Sequence, residues 1–424
     1  MLTYERIEAA RRRRWASALL YLTDRCPVGC AHCSVDARPD GPRISDWPLF
    51  EQVVATLCAT ASFEIVGISG GEPFTERRGL THATRELAEA GKSVVLYTSG
   101  YWGDPAPWIR QVLKLSSCVV LGADAFHAQR LPGDRVVAAI RATVEAGCRL
   151  VLQTIGPRNQ AESRPRNQAE SRAETRTANR AETPAAIQAA DRAGIHAADR
   201  AEGHAETHVE IQAADRAATR AADRVEDRPE SHLTDRVEIH AQAAGRSADP
   251  TETHTADRTE NQAENRAADL LARALGPSWR DHAEIHVTGL LPVGRARGMR
   301  AAAPARPARD FGRCTVADAP VVRYDGRVSG CCNETVITGG GPAALRRRAR
   351  DAAELRQALD AFETDPLLRF IGAHGPGPLA HLAGLEDRKF RHICQVCRRL
   401  NEHFAGTARD GLAALALLTG DGAR

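Results

Sequence analysis

The chain has 424 residues, of which 43% are hydrophobic, and its formal net charge is only +3. This length is enough for two or more domains of ordinary size. Acidic and basic residues are interspersed, so the sequence offers no basic stripe that could follow a phosphate backbone, and nucleic acid is not an expected partner. No segment approaches the ~20 apolar residues of a membrane helix, so no membrane association is expected either.

The eleven cysteines are an odd number and occur in short-range groups. Such grouping favours reduced thiols that bind metal over a disulfide scaffold, which indicates a reducing cytoplasm. Near the N-terminus, Arg11–Arg14 and the apolar run that ends at Leu22 faintly resemble a secretory signal. That run is too short and has no small-residue cleavage site, so we interpret it as the first buried strand.

From Trp15 to Ile155, short β-branched or apolar runs alternate with longer amphipathic runs, which is the pattern of βα units around a parallel sheet. The predicted strands are residues 16–23, 63–69, 93–99, 118–122 and 149–155. The predicted helices between them are residues 48–61, 76–90, 105–115 and 133–146. After a central insertion the pattern resumes with a helix at 268–275 and a sixth strand at 283–288.

The segment 157–267 is different in kind. Residues 157–164 recur unchanged as 165–172, and tetrapeptides such as Ala-Ala-Asp-Arg and Ala-Glu-Thr-His follow. Each unit of four advances a helix by about 40° beyond a full turn, so an apolar stripe would wind around the helix instead of facing a core. We therefore predict disorder or a fraying solvated helix. The histidines of this segment are interpreted as repeat filler: His196, His204, His208, His232 and His240.

Cys26, Cys30 and Cys33 directly follow the first predicted strand, in the sequence Cys-Pro-Val-Gly-Cys-Ala-His-Cys. In parallel α/β barrels, the active-site loops lie at this end of the strands. Three thiolates on one tight loop can hold three corners of a cubane cluster and leave the fourth iron open to a ligand. A zinc site would normally need a fourth Cys or His close by, and His32 lies between ligands, where it cannot easily reach the same metal.

The spacing of these cysteines resembles that of the radical SAM superfamily. The second strand ends in Ile68-Ser-Gly-Gly-Glu-Pro-Phe74, which is similar to the family's glycine-rich motif, and glycines there let the main chain approach a ligand. The resemblance implies a partial (β/α)6 barrel in which Cys26, Cys30 and Cys33 hold a 4Fe-4S cluster. It also implies that this cluster chelates S-adenosylmethionine (SAM) and passes it one electron, and that the resulting 5'-deoxyadenosyl radical abstracts a substrate hydrogen.

The same resemblance implies an external electron donor such as flavodoxin or ferredoxin, and SAM contacts from several strand ends. The implied cofactor-binding residues are His32, Gly70, Gly71, Glu72, Pro73, Ser99, Asp124 and Arg295. Two positions depart from the family pattern: His32 stands where an aromatic ring often backs the adenine, and Gly122 stands where many relatives carry a serine. Asp124 and His127 are candidates for a catalytic acid and base, and a helix-capping Asp and a solvated His are the alternatives.

A second cysteine set consists of Cys314, Cys331, Cys394 and Cys397. Cysteines around a predicted Asp-Gly hairpin, completed by a distant CxxC, make a four-thiolate site that can hold zinc or an iron-sulfur cluster. The spacing resembles the C-terminal extension called SPASM when it binds two auxiliary clusters and twitch when it binds one. Because no cysteine follows Cys397, the resemblance implies a twitch-type domain with one auxiliary 4Fe-4S cluster. A structural zinc is the alternative, and Cys332 is an alternative ligand to Cys331.

The predicted fold class is α/β, a partial (β/α)6 barrel with a small C-terminal α+β auxiliary-cluster domain. The predicted boundaries are 1–156 and 268–300 for the barrel, 157–267 for the insertion, 310–400 for the extension and 401–424 for a tail. Within the extension, helices are predicted at about 341–362 and 365–371. The remaining cysteines are interpreted as small buried residues: Cys58, Cys118 and Cys148.

Relatives with such extensions often modify ribosomally made peptides, so peptide maturation is the predicted function by analogy. The substrate is thus expected to be a peptide or a small molecule, and oxidation of a small alcohol is the alternative within the family. Outside it, the alternative is a non-catalytic metal-binding or electron-transfer protein. The glycine motif discriminates between these classes, because a module that only binds metal has no use for a backbone cradle beside its cluster.

Overall fold

The computed structural model describes residues 3–156, 251–291, 293–299, 304–405 and 412, and for residues 4 and 251–261 it describes only the backbone. The elements described below belong to one unit, which the chain forms from Met1–Glu162 and Pro250–Arg424. The predicted insertion lies outside the described residues as far as residue 250. Its predicted disorder therefore stays a prediction.

Six parallel strands form the first part of the sheet, and they pair in the order in which they follow one another in the chain. They are β1 (Ser17–Tyr21), β2 (Ile65–Ser69), β3 (Ser93–Thr98), β4 (Cys118–Gly122), β5 (Arg149–Ile155) and β6 (Ala283–Thr288). Among the described residues, β1 and β6 do not pair with each other, so the sheet is open. The structure thus has the mostly parallel α/β sheet of a partial barrel.

Helices precede and connect these strands, and each helix that was predicted between them is present. They are α1 (Tyr4–Arg12), α2 (Trp47–Ala59), α3 (Arg77–Glu89), α4 (Pro107–Leu115), α5 (Ala125–Ala128), α6 (Gly133–Glu145) and α7 (Thr251–Leu275). The apolar residues of β1 to β5 that alternate with the cavity-facing ones are fully buried in the main core, among them Leu20, Ile68, Leu96 and Leu121. Helix α7 begins at Thr251, inside the segment predicted as insertion, instead of at residue 268.

Helix α1 was not predicted, because its arginine-rich sequence before the first strand has no clear apolar stripe. Thr3 caps its first turn by accepting a hydrogen bond from the Arg6 amide. Its Ile7 and Ala10 are buried against a cluster of residues from β2 to β5 that includes Ile65. The helix therefore packs on the face of the sheet that is turned away from the main core.

The C-terminal segment adds three strands to the same sheet. Its elements are β7 (Arg306–Pro307), β8 (Val321–Arg323), β9 (Arg327–Ser329), α8 (Glu334–Ile337), β10 (Arg346–Arg348), α9 (Ala352–Glu363), α10 (Pro366–His374), α11 (Gly377–Leu382), β11 (Lys389–Phe390) and α12 (Ile393–His403). Strand β8 pairs in parallel with β1, and β9 and β10 follow it in antiparallel order. The predicted Asp-Gly hairpin is present, with Gly326 at φ 78°.

One predicted helix is wrong in its first part. Residues 346–348 form β10 rather than the start of a helix at 341, because the three arginines pair with β9 at the edge of the sheet. The helix begins at Ala352, after Asp351 accepts a hydrogen bond from the Glu354 amide. Cys118 and Cys148 are buried as predicted, whereas Cys58 is half-buried. Within the ranges that the structure describes, no helix has the length and apolar character needed to cross a membrane.

Candidate active site

A cavity of about 300 Å³ lies at the C-terminal ends of the parallel strands, and we call it the cofactor cavity. Its walls come from the loops that follow β1, β2, β3, β4 and β6. Because parallel strands end at the same edge of a sheet, residues that are far apart in the sequence meet here. Most of the predicted site residues line it: Cys26, Cys30, His32, Cys33, Gly70, Gly71, Ser99, Asp124, His127 and Arg295.

The cysteine loop, from Cys26 to Cys33, is held by backbone hydrogen bonds. The Cys26 amide donates to the carbonyl of Arg38 (2.9 Å), and the Cys33 amide donates to the carbonyl of Cys30 (3.3 Å). The Ala37 amide donates to the Cys33 sulfur at 3.4 Å. All three cysteines are free thiols. Burial raises the pKa of Cys26 to about 12, so a metal that bound this sulfur would displace its proton.

Gly70 and Gly71 pack against the backbone that leads into the cysteine loop. The Gly71 amide donates to the Thr23 carbonyl at 2.6 Å. A Cβ on Gly70 would lie 2.6 Å from that same oxygen, and a Cβ on Gly71 would lie 2.3 Å from the Arg25 carbonyl oxygen. Gly70 also has φ 143°, a conformation that side chains disfavour. The chain itself therefore requires both glycines, in addition to the predicted need for ligand approach.

Glu72 and Pro73, also predicted as cofactor-binding, lie behind the cavity wall. The Glu72 side chain is only 1% exposed. Its carboxylate accepts hydrogen bonds from the Ser99 hydroxyl (2.6 Å), the Ser99 amide (2.9 Å) and the Thr98 hydroxyl (2.8 Å). Burial raises the pKa of Glu72, and these hydrogen bonds oppose that rise. Glu72 thus ties the end of β2 to the end of β3 and holds Ser99 at the cavity, whereas direct cofactor contact stays a prediction.

Asp124 bridges two imidazoles in the cavity wall. One carboxylate oxygen caps α5 by accepting from the amides of Phe126 (2.8 Å) and His127 (3.0 Å). The other oxygen lies 2.7 Å from Nδ1 of His127 and 3.4 Å from Nε2 of His32. Burial alone would raise the pKa of Asp124, but the two imidazoles hold it well below its usual range. Asp124 therefore caps a helix, which was the alternative to a catalytic role, and its catalytic role stays a prediction.

The same three side chains are notable for their mutual distances. In the part of the chain that the structure describes, His32, Asp124 and His127 are the group of potential metal ligands whose donor atoms all lie within 4.8 Å of one another. His127 is half-buried rather than fully solvated, with 17% of its side chain exposed. Burial lowers its pKa, but the hydrogen bonds to Asp124 and Cys30 outweigh this and raise it to about 10. Their hydrogen-bonding distances make these side chains a brace between β4 and the cysteine loop.

Arg295 clamps the cysteine loop. Its side chain donates to the carbonyls of Cys30 (2.9 Å) and Ala37 (2.8 Å) and to the Asp36 carboxylate (3.0 Å). Its backbone amide donates to the carbonyl of Cys33 at 2.9 Å. The sequence predicted a cofactor-binding role, which stays a prediction. In the structure, Arg295 follows the last parallel strand, β6, and holds the cysteine loop in place.

The C-terminal cysteines come from three separate segments of the chain. Cys331 interacts electrostatically with Cys314, Cys394 and Cys397, and burial raises its pKa. The neighbouring Cys332 faces the opposite side, into a cavity that it shares with residues of α1 and β1. The structure therefore brings Cys331 together with the other three predicted ligands and sets Cys332 apart from them.

Two asparagines beside these cysteines were missed in the sequence. The side-chain amide of Asn333 donates to the Cys394 sulfur at 3.2 Å, and the side-chain amide of Asn401 donates to the Cys397 sulfur at 3.5 Å. N–H donors stabilise thiolates that are bound to metal. In the sequence, only the spacing of Asn401 could have indicated such a contact, because it lies one helical turn after Cys397.

An ion pair between a buried arginine and a half-buried aspartate near the cysteine loop was also missed. Arg323, in β8, donates to the Asp24 carboxylate at 2.6 Å, and the Tyr324 hydroxyl donates to the same oxygen at 2.8 Å. Arg323 is only 1% exposed. Nothing in the local sequence pairs residues so far apart, so only the pairing of β8 with β1 reveals the contact.

A second cavity, the inner chamber, has a volume of about 270 Å³ and lies on the face of the sheet that α1 covers. Its wall is about equally polar and apolar, and its polar side chains include Arg11, Tyr97, Gln153, Cys332 and Glu334. The buried hydroxyl of Ser17, which also lines the chamber, has no hydrogen-bond partner. An unpaired buried hydroxyl of this kind is the feature that a polar ligand group satisfies.

The structure thus combines an open parallel sheet, three free thiols on one loop and a cavity at the strand ends, an arrangement that suits a metal cluster and a second ligand. Residues 20–166 match the family model described as the radical SAM superfamily. The match covers about a third of the chain and supports a radical SAM enzyme, a class that carries a 4Fe-4S cluster and uses SAM.

Solved structures give more distant likenesses. SuiB of Streptococcus suis bound to its precursor peptide SuiA is 12% identical over 90% of this chain and 76% of that chain, with a TM-score of 0.41. SuiB bound to SAM is 12% identical over 84% and 67%, with a TM-score of 0.39. BtrN in complex with AdoMet and 2-DOIA is 10% identical over 89% and 97%, with a TM-score of 0.34. Likenesses this distant carry no functional argument. No curated protein matches the sequence.

Proposed function

We propose that this radical SAM enzyme modifies a peptide, and that the reacting residue of the peptide enters the inner chamber. The observation that carries the proposal is the continuity of the two cavities. Several residues line both of them: Ser34, Val35, Ser69, Gly70, Tyr97, Gln153 and Glu334. A group held in the inner chamber would therefore face the cofactor cavity directly.

The residues of the cofactor cavity fit the family's cofactors. Cys26, Cys30 and Cys33 are free thiols on one loop, and three cysteines leave one iron of a cubane open. His32 has a buried Nδ1 without a hydrogen-bond partner at this cavity. When bound, the cluster and SAM supply a carbon radical that can remove a hydrogen atom from a substrate. The chain's own part is to hold the loop, orient the ligand and exclude water.

The size and charge of the inner chamber support a substrate presented one residue at a time. A volume of about 270 Å³ is on the scale of one large side chain and is too small for a folded peptide. Arg11 and Glu334 place opposite charges in its wall. A small alcohol would fit the same volume. The resemblance of the second cysteine set to a twitch-type extension favours the peptide.

We also propose that Cys314, Cys331, Cys394 and Cys397 hold an auxiliary 4Fe-4S cluster rather than zinc. In a tetrahedral zinc site with bonds of about 2.3 Å, all sulfurs lie about 3.8 Å apart. In the described part of the chain, no three of these sulfurs all lie within 4.8 Å of one another. The wider spacing supports a cubane, whose irons separate the ligands.

The proposal is tested by anaerobic reconstitution with iron and sulfide. We expect about eight irons per chain, and about four after combined replacement of Cys26, Cys30 and Cys33 by Ala, as two cubane clusters require. The reduced wild type should convert SAM to 5'-deoxyadenosine, and the triple variant should not. Cys58→Ala is the matched control, because Cys58 lies outside both sets. Equal 5'-deoxyadenosine from wild type and triple variant would refute the assignment of the cysteine loop.

The substrate class needs a separate measurement. A substrate that carries deuterium at the abstracted position transfers it to 5'-deoxyadenosine, so deuterated peptides and deuterated small alcohols can be compared directly. We expect deuterium transfer from a peptide, and we expect Glu334→Gln to reduce that transfer more than it reduces uncoupled SAM cleavage. Transfer from small alcohols alone would replace the peptide by the alternative substrate class.

A further inference from the structure

The two cysteine sets are attached to adjacent strands of one sheet. β1 leads into the cysteine loop, and the β8–β9 hairpin leads into Cys331. β8 pairs in parallel with β1, and the Tyr324 amide continues the pairing by donating to the Tyr21 carbonyl at 3.0 Å. The hairpin therefore lies against the strand from which the cysteine loop extends.

The side chains at the end of β8 hold the first residues of that loop. Asp24, two residues before Cys26, accepts from Arg323 at 2.6 Å and from the Tyr324 hydroxyl at 2.8 Å through a single carboxylate oxygen. The Arg323 guanidinium also lies 4.4 Å from the ring centroid of Tyr21. Three interactions thus converge between the hairpin and the base of the loop.

Burial makes this connection stiff. Arg323 is 1% exposed, and it has a second carboxylate neighbour, Asp325, at 3.4 Å. Separating Arg323 from Asp24 would leave a buried charge without its closest partner, which is strongly unfavourable. The hairpin and the base of the cysteine loop should therefore keep their relative position or lose it together.

We infer that Arg323 and Tyr324 are positioning residues for the cysteine loop, which they hold through Asp24, and that metal binding at the C-terminal cysteines stabilises cluster binding at the loop. The inference rests on the auxiliary cluster proposed above. A metal at Cys331 fixes the end of the hairpin, and the hairpin fixes Asp24. Because such coupling is reciprocal, a cluster at the loop must stabilise the C-terminal metal to the same extent.

A double-variant cycle tests the coupling. The variants are Arg323→Met, Cys331→Ala and their combination, all reconstituted with iron and sulfide. The readout is the reduced-cluster EPR signal that changes on SAM addition, followed during incubation with an iron chelator, since this signal reports only the loop cluster. We expect each single variant to lose the signal several-fold faster than wild type. We expect the combination to lose it no faster than the quicker single variant, because both changes break one connection.

Matched variants separate positioning from general destabilisation. Arg149→Met is the control, because Arg149 binds the Glu284 carboxylate and the Asp281 carbonyl and touches neither cysteine set. It should lose the signal at the wild-type rate. Tyr324→Phe removes a single hydrogen bond and should give a smaller change in the same direction, which keeps the test valid if Arg323→Met fails to fold.

Three results would overturn the inference: rates that multiply in the combined variant, rates that do not change in either single variant, or an equal change in the Arg149→Met control. Absence of any SAM-responsive signal in the wild type would instead contradict the cofactor assignment. Full metal content in Cys331→Ala would contradict the auxiliary cluster. The failure of each proposal therefore has its own signature.

Discussion

The cysteine loop and the C-terminal cysteines are built in opposite ways. The loop carries three thiols between residues 26 and 33, on one turn that backbone hydrogen bonds hold in place. The C-terminal set collects four thiols between residues 314 and 397 from a turn, a hairpin end and a helix. Local chain geometry arranges the first set, whereas the second set depends on packing between distant segments.

This difference has a consequence for how each set responds to change. A site built on one loop is sensitive to contacts that shape the loop, such as those of Gly71 and Arg295. A site assembled from distant segments is sensitive to which face of each element carries the ligand. For the C-terminal set, one residue of shift between Cys331 and Cys332 decides whether the thiol faces the other ligands or the inner chamber.

The largest effect is expected for Gly71→Ala. A Cβ at this position would meet the Arg25 carbonyl at 2.3 Å, and neither backbone segment can move without displacing the cysteine loop. Overpacking of this kind costs roughly 1–3 kcal/mol of folding free energy. We expect iron at the loop to fall to less than about half, measured after reconstitution in a Cys331→Ala background.

The control for that change is Gly312→Ala, where a Cβ would meet no atom within 4 Å. It should leave both iron content and melting temperature unchanged. Wild-type iron content in Gly71→Ala would show that the loop is not shaped by this contact, and the first half of the comparison would then fail.

Cys331→Ala and Cys332→Ala form the next pair. Cys331 interacts with the other three C-terminal cysteines, whereas Cys332 lines the inner chamber beside Arg11. We expect Cys331→Ala to remove about four irons per chain and Cys332→Ala to remove none. Iron analysis with Mössbauer spectroscopy measures this. Equal iron loss from both variants would contradict the assignment of faces.

Arg295→Ala should have an intermediate effect. It removes three side-chain hydrogen bonds to the cysteine loop and its flank. A hydrogen bond from a charged donor contributes about 1.5–3 kcal/mol to stability. Because the Asp36 partner is partly exposed, we expect a total loss of about 2–4 kcal/mol in unfolding free energy. Urea unfolding measures this, with the exposed Arg297→Ala as control. An unchanged stability with weaker SAM binding would favour a direct cofactor role instead.

The smallest effect is expected from replacing residues 158–250 with a short Gly/Ser linker. These residues lie between β5 and α7 and have little apolar content, and the cost of closing a loop grows only logarithmically with its length. Melting temperature, iron content and uncoupled 5'-deoxyadenosine formation should match the parent protein. A shortened protein that carries full iron but cannot cleave SAM would show that the repeat takes part in catalysis.

The sequence was sufficient wherever a signal was local. Short apolar runs predicted all six parallel strands to within a few residues, because the apolar pattern of a buried strand is visible in consecutive residues. The cysteine loop and the glycine motif were visible for the same reason. The helix predicted over 341–351 failed because pairing with β9 outweighs the local helical pattern at Arg346–Arg348.

The sequence by itself determined the six parallel strands, the helices between them and the cysteine loop, and it predicted that four distant cysteines form one set. Only the tertiary structure decided which way each side chain turned: Glu72 into the protein, Cys332 into the inner chamber and Arg295 onto the loop. It also decided that Asp24 meets Arg323. The physical reason is that a sequence encodes periodicity along the chain, whereas these contacts depend on the pairing of strands, which brings residues together at separations that no local pattern records.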